Sequence, residues 1–314
     1  MAISVLAPMY DATDVVFRQI VAECAPPDLF VTEFVNVDGL QSAGRPKLIH
    51  HLARRPESDH KILAQIWGVG IDNFEKTAAE LVEMGFDGID INMGCPEKNV
   101  VKNNCCSGLI NDPKKASDII RSVQKGSGGA IPVSVKTRLG FNQIDLNWTR
   151  FLLGHNLDML TMHFRTRKEM SEVDAHWELA PEIVTLRNEI SPHTTIIGNG
   201  DIVDRDDGES KVESNGLDGY MIGRGVFHNP YCFAPDPRIW DTKTSRDRID
   251  LYTRHVELFI NAYAEGQRSP QTLKRFCKVY INSFDGATEL RTKLMDARSA
   301  EELLHLLHKA AALQ

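Results

Sequence analysis

Short apolar runs recur along the chain, separated by stretches with helical periodicity. The runs cover 3–9, 29–34, 61–68, 88–94, 133–139, 159–164, 194–202 and 219–225. Several are nearly continuous in apolar residues, as strands covered on both faces must be. Runs spaced by helix-sized gaps predict the βα alternation of a parallel sheet. Eight such units within about 225 residues predict a (β/α)8 barrel. A doubly wound sheet seldom needs eight parallel strands, and no GxGxxG occurs.

A repeated detail supports the count. Phe86-Asp87-Gly88, Leu157-Asp158-Met159 and Leu217-Asp218-Gly219 each follow a helical stretch and open a strand. Between two of the runs, Phe74, Ala78, Leu81 and Val82 form an apolar helical face, with Asp72 or Asn73 as the expected cap and Gly85 as the stop. After about residue 237 the strand pattern ends. Ile249, Tyr252, Val256, Phe259 and Tyr263 repeat at helical spacing, followed by Leu273, Phe276, Cys277 and Tyr280, then Leu303, Leu304, Leu307 and Ala311. The pattern predicts a barrel over 1–238 and a small helical domain over 239–314, packed together because no low-complexity linker intervenes. Lys274 and Lys278, four apart with Arg275 beside them, are expected to oppose the apolar face. They form either a solvated helix surface or a phosphate-contacting one.

Composition narrows the class. At 42% hydrophobic, 25% charged and 7% aromatic residues, the 314-residue chain is an ordinary globular one. Such a composition excludes collagen, coiled coil and disorder. No apolar stretch approaches the length needed to cross a bilayer, so no membrane span is expected. The start shows no basic segment followed by an apolar one, so no signal peptide is expected. Six cysteines without a C-x-x-C pair resemble neither a disulfide framework nor a zinc site, and a reducing, cytoplasmic setting follows. The formal charge of −7 is uneven. From Asp241 onward 12 basic residues face 10 acidic ones, so a polyanion would meet the C-terminal part more comfortably.

In such a barrel chemistry sits at the C-terminal ends of strands. Those ends carry Ala7-Pro8-Met9, Thr32-Glu33-Phe34, Gln65, Asn92-Met93-Gly94-Cys95-Pro96, Lys136-Thr137-Arg138, His163-Phe164-Arg165, Gly198-Asn199-Gly200-Asp201 and Gly223-Arg224-Gly225. The last two are glycine turns at adjacent strand ends, where barrels often bind phosphate, with Arg224 as countercharge. Lys136, expected to be buried at a strand end, needs an anionic partner. His163 is either a functional group or a satisfied core histidine. Cys95 can serve as nucleophile, proton donor or inert packing.

Taken in order, these motifs resemble the tRNA-dihydrouridine synthases. The resemblance rests on Ala7-Pro8-Met9 with Thr13-Asp14 and Phe17-Arg18, Thr32-Glu33-Phe34, Gln65, Asp90-Ile91-Asn92-Met93-Gly94-Cys95-Pro96 and Asp112-Pro113. Val133-Ser134-Val135-Lys136-Thr137-Arg138-Leu139-Gly140, His163-Phe164-Arg165-Thr166-Arg167, Asn199-Gly200-Asp201 and Ile222-Gly223-Arg224-Gly225 complete it. It implies an FMN enzyme that uses NADPH (or NADH) to reduce uridine in tRNA to 5,6-dihydrouridine. Pro8, Met9, Gln65, Lys136 and His163 would surround the isoalloxazine, and Asn199, Gly200, Asp201, Gly223 and Arg224 would hold the phosphate end. Hydride would pass from flavin N5 to uracil C6, and Cys95 would protonate C5. Asn92 would meet the uracil edge, Arg165 the uracil or the flavin-side backbone, and Lys274, Arg275 and Lys278 the tRNA backbone. The cysteine spacing predicts no metal, and a surface left free around a long RNA substrate suits a monomer.

Three departures stand out. The loop after Gly-Cys-Pro is usually glycine-rich but reads Asn103-Asn104-Cys105-Cys106-Ser107-Gly108. Glu97 stands where a small residue is common, and Ala175-His176-Trp177 has His where Asp is common. The competing readings are a dihydroorotate-dehydrogenase-like barrel acting on a free small molecule, and a flavin-retaining RNA-binding protein without turnover.

Overall fold

The computed structural model describes residues 2–54 and 60–314. Its strands are β1 (Ile3–Leu6), β2 (Leu29–Val31), β3 (Val35–Asn36), β4 (Lys61–Trp67), β5 (Gly88–Met93), β6 (Val133–Arg138), β7 (Met159–His163), β8 (Thr195–Asn199) and β9 (Gly219–Ile222). Every pairing is parallel, and β9 returns to pair with β1. The second stave of the barrel is split: β2 and β3 both lie against β4, on either side of Thr32-Glu33-Phe34. The apolar run 29–34 therefore holds a break that alternation alone did not show. Thr32 fills it by accepting the Gln65 N–H on its hydroxyl at 3.0 Å, replacing a ladder bond.

The recurring Asp turn has a structural purpose. Asp87, Asp158 and Asp218 each accept a backbone N–H at the start of the preceding neighbour strand: Ile62 at 2.8 Å, Val133 at 2.8 Å and Ile196 at 2.7 Å. Asp28 does the same for Ser4 at 2.8 Å, a fourth instance that its Pro-Asp-Leu setting disguised. These carboxylates satisfy donors at the lower edge of the barrel, where the ladder has ended.

Helix Ile71–Glu83 buries Phe74, Thr77, Ala78 and Leu81, while Val82 lies at its margin. Its N-cap is Gly70 rather than Asp72 or Asn73. The Asp38 carboxylate reaches across to this start, accepting from Val69 N at 2.8 Å, Gly70 N at 3.0 Å and Asn73 Nδ2 at 2.9 Å, which ties up the Asn73 side chain. Gly85 ends the segment in the left-handed region, at φ 75°.

Beyond the barrel, helix Ser245–Ala262 and helix Ala300–Ala311 appear where the spacing put them. The middle stretch is two short turns, Gln271–Lys274 and Cys277–Tyr280. A further helix, Ala287–Asp296, escaped the sequence pattern because it buries only Ala287 and Leu294. The helical region packs on the barrel through Phe17, whose ring centroid lies 4.5 Å from that of Phe276 and 5.9 Å from that of Phe227. Among the described residues, no helix is long and apolar enough to cross a membrane.

Closure leaves no room at Gly219, where an added Cβ would stand 2.3 Å from the Ile3 carbonyl oxygen. Gly219→Ala should therefore cost about 1–3 kcal/mol in urea unfolding. An unchanged midpoint would show that the β1–β9 seam yields freely.

Candidate active site

Every barrel residue assigned a site role from the sequence lines one cavity of about 290 Å³ at the C-terminal rim: Pro8, Met9, Gln65, Asn92, Cys95, Lys136, His163, Arg165, Asn199, Gly200, Asp201, Gly223 and Arg224. Phe34, Arg138 and Ser171 line it as well, without having been assigned a role. Arg138 was legible in principle, since it lies two residues past Lys136 on the same face of β6.

The thiol side of the cavity hangs on a chain of buried polar groups. Ser134 Oγ donates to Asp90 Oδ1 at 2.6 Å, Gln65 Nε2 donates to Asp90 Oδ2 at 2.6 Å, and Asn92 Nδ2 donates to Gln65 Oε1 at 3.0 Å. Asn92 Oδ1 then accepts from Gly94 N at 3.1 Å and Cys95 N at 3.0 Å. Asn92 thus holds the Cys95 backbone, a task beyond the uracil contact that the resemblance implied. Arg138 grips the other side, donating to Gly94 O at 2.8 Å, and Ser107 Oγ donates to Cys95 O at 2.8 Å. The unusual loop is consequently built in: Cys105 and Cys106 are buried, and Cys106 takes the left-handed φ of 50° that glycine would favour.

Burial pushes the Cys95 thiol above its ordinary value, outweighing the Glu97 N–H and the Arg138 and Lys136 charges that pull it down. Glu97 adds only a secondary upward push. The group is therefore a thiol, not a thiolate, at neutral pH.

The opposite side is cationic. Lys136 Nζ donates to Asn199 Oδ1 at 3.2 Å, and among the described residues no carboxylate lies within ion-pair distance of it. Burial of the ammonium, with Arg138 nearby, brings its pKa down to about 8. His163 is pushed well below its usual value by burial and by Lys136, Arg138, Arg165 and Arg224, so it is neutral. Asp201 bridges Arg165 and Arg224, its Oδ1 accepting from Arg224 Nη2 at 2.8 Å, and it also accepts the Ala175 N–H at 3.0 Å. Asp201 thereby orients both arginines.

The two glycine turns divide by task. Gly198 and Gly225 are packing glycines: a Cβ would stand 2.7 Å from the Trp177 ring in one case and 2.4 Å from Val203 O in the other. Gly200, at φ 129°, and Gly223 line the cavity. A Cβ on Gly223 would meet nothing nearer than Ala7 Cβ at 3.7 Å, so it would project into the cradle. Trp177 donates to Gly200 O at 2.9 Å, and His176 stands between Glu169 and Glu178, at 3.1 Å from each.

The helical cations do not reach this cavity. Lys274 is buried and donates to Met295 O at 2.6 Å, so it is a helix-packing residue and does not oppose the apolar face. Arg275 and Lys278 are exposed.

Fold, rim site and sequence relatives together define the class: flavin-dependent oxidoreductases on a (β/α)8 barrel. Similar solved structures include a morphinone reductase variant in complex with tetrahydroNAD (TM-score 0.52, 12% identity, 73% of this chain and 84% of that one). Histamine dehydrogenase from Rhizobium sp. 4-9 is another (TM-score 0.53, 13% identity, 82% and 49%). At these identities they show the fold alone. The chain itself belongs to the dihydrouridine synthase family, whose model matches residues 5–314. A "Probable tRNA-dihydrouridine synthase" of Staphylococcus aureus is 45% identical over 314 residues, covering 98% of this chain and 93% of that protein. A "Probable tRNA-dihydrouridine synthase 2" of Bacillus subtilis is 43% identical over 305 residues, covering 96% and 92%.

Because thiolate is the reactive form, Cys95 alkylation by iodoacetamide, followed by peptide mapping, should keep accelerating above about pH 9. A plateau by about pH 8 would contradict a thiol raised by burial.

Proposed function

We propose that the protein is a tRNA-dihydrouridine synthase that binds FMN, is reloaded by NADPH or NADH, and reduces a tRNA uridine with Cys95 as general acid. The observation that carries this reading is the pairing, across one cavity, of a protonated thiol with an enclosed ammonium that makes no ion pair among the described residues and feels the Asp90 carboxylate only at longer range. An ammonium so placed suits an electron-rich ring system, and the open face of Gly223 beside the exposed Arg224 suits a phosphate. The residues present therefore fit the flavin. Pro8, Met9, Gln65, Lys136 and His163 would flank its ring, while Asn199, Gly200, Gly223 and Arg224 would hold the phosphate end with Asp201 fixing Arg224.

When bound, the flavin supplies the hydride delivered to uracil C6. The chain's own part is the proton. Cys95 Sγ–H gives it to C5 and recovers one from solvent, and the raised pKa keeps the donor loaded at neutral pH. Asn92, Arg138 and Ser107 fix the backbone on both sides of the thiol, so little reorganisation is needed at the moment of transfer. Neutral His163 adds a polar group without another charge. Asn92, which holds the Cys95 backbone, and Arg165, on the cationic side of the same cavity, are the proposed uracil contacts. The exposed Arg275 and Lys278 are proposed to meet tRNA phosphates, and Lys274 is withdrawn from that role by its burial. The target base must leave its stack to enter the cavity.

On tRNA lacking dihydrouridine, Cys95→Ala should slow product formation by about 10²–10⁴-fold while retaining bound flavin. Normal turnover in that variant, followed by mass spectrometry of the tRNA, would remove Cys95 from the mechanism.

A further inference from the structure

Next to the rim cavity lies a second one, of about 460 Å³, with mostly apolar walls that include Tyr10, Phe34, Trp67 and His51. Phe34 and Cys95 border both cavities, so the two adjoin at the proposed acid. The walls form an aromatic series. The Tyr10 ring centroid is 5.5 Å from that of Phe34 and 5.3 Å from His51, and Phe34 meets Trp67 edge-on at 6.4 Å.

Tyr10 is 51% exposed, yet its turn is firmly tied. The next residue, Asp11, adopts a left-handed φ of 57° and donates its N–H to Glu33 Oε1 at 2.6 Å. Glu33 lies in the break between β2 and β3 and is 1% exposed. It also accepts from both terminal nitrogens of Arg268 at 3.1 Å and contacts His51 Nδ1 at 3.1 Å. Burial alone would raise the Glu33 carboxyl, but His51 and Arg268 outweigh it and hold it at about 2. Buried charges are costly unless fully bonded, and such a cluster fixes geometry more than it adds stability. Here it fixes a turn that presents Met9 to one cavity and Tyr10 to the other.

We propose that the aromatic cavity is a second base-binding subsite, which takes by stacking the nucleobase adjacent to the target uridine, and that Glu33 is a positioning residue for its Tyr10 wall. The proposal rests on the tRNA reading above. An RNA whose target base reaches Cys95 must place its next nucleotide close by, and the volume adjoining Cys95 through Phe34 has the walls that a base accepts irrespective of its identity. Glu97, also on this cavity's lining, repels phosphate, so the base and not the backbone faces inward.

The test uses holoenzyme and tRNA whose target uridine has been located by mass spectrometry. Tyr10→Ala should raise KM for tRNA roughly 5- to 100-fold, with kcat within about twofold, while Tyr10→Phe behaves as wild type. An abasic nucleotide on one side of the target should reproduce the shift in the wild type and add little in Tyr10→Ala. Glu33→Gln should raise KM in the same direction and have no further effect in the Tyr10→Ala background. Flavin content and the rate of flavin reduction by NADPH report whether each variant is intact.

An unchanged KM in intact Tyr10→Ala, or neutral abasic substitutions on both sides, overturns the subsite. A kcat loss as large as the KM effect also overturns it, because the cavity would then serve the target uracil itself. Glu33→Gln with lowered thermal stability but unchanged KM overturns the positioning role. A wild type that reduces no tRNA defeats the proposed function instead, and is distinguishable because none of the variant comparisons can then be made.

Discussion

Closure of the parallel sheet governs everything else in this molecule. Four consecutive residue pairs join β1 to β9, and with that seam in place all strand ends face one rim. Register does the rest. Gln65 lies opposite Asp90, Asp90 opposite Ser134, and Asn92 opposite Lys136. The chain of buried hydrogen bonds from Ser134 to Asn92 is thus a direct consequence of strand alignment, and it ends on the backbone of Cys95. Slipping one strand by a residue would turn these side chains out of the barrel and release the thiol.

The same burial has opposite effects on the two key groups. It disfavours charge in both, so the Cys95 thiol rises and the Lys136 ammonium falls. The first result is a proton donor at neutral pH. The second is a cation that gains from an electron-rich neighbour, since its direct hydrogen bond is to an amide oxygen and Asp90 acts on it only from a distance. Asp201, the carboxylate between Arg165 and Arg224, is spent on orienting them, leaving the cavity with an excess of positive charge.

Much of this was legible in the sequence because parallel strands are marked by continuous apolar runs and the rim by the polar residues that end them. What escaped depends on partners distant in sequence. The break at Glu33 reads as part of an apolar run, and its burial is made tolerable by His51 and by Arg268, the latter far along the chain. Gly198 and Gly225 resemble Gly200 and Gly223 locally, yet the Trp177 ring and the Val203 carbonyl decide that they serve packing. Lys274 has the spacing of a surface cation, but the Met295 carbonyl draws it inward. Asp38, which holds the Val69-Gly70 backbone just before the helix that begins at Ile71, carries no local mark of that role.

Whether a thiol and a flavin share this rim to reduce uridine in tRNA is tested most directly by the dihydrouridine content of tRNA, read by mass spectrometry. The tRNA would come from cells lacking this gene and from the same cells carrying wild type or Cys95→Ala. The predicted result is loss of dihydrouridine at a defined position, restored by wild type and not by Cys95→Ala. Restoration by Cys95→Ala, or no loss at any position, would contradict it.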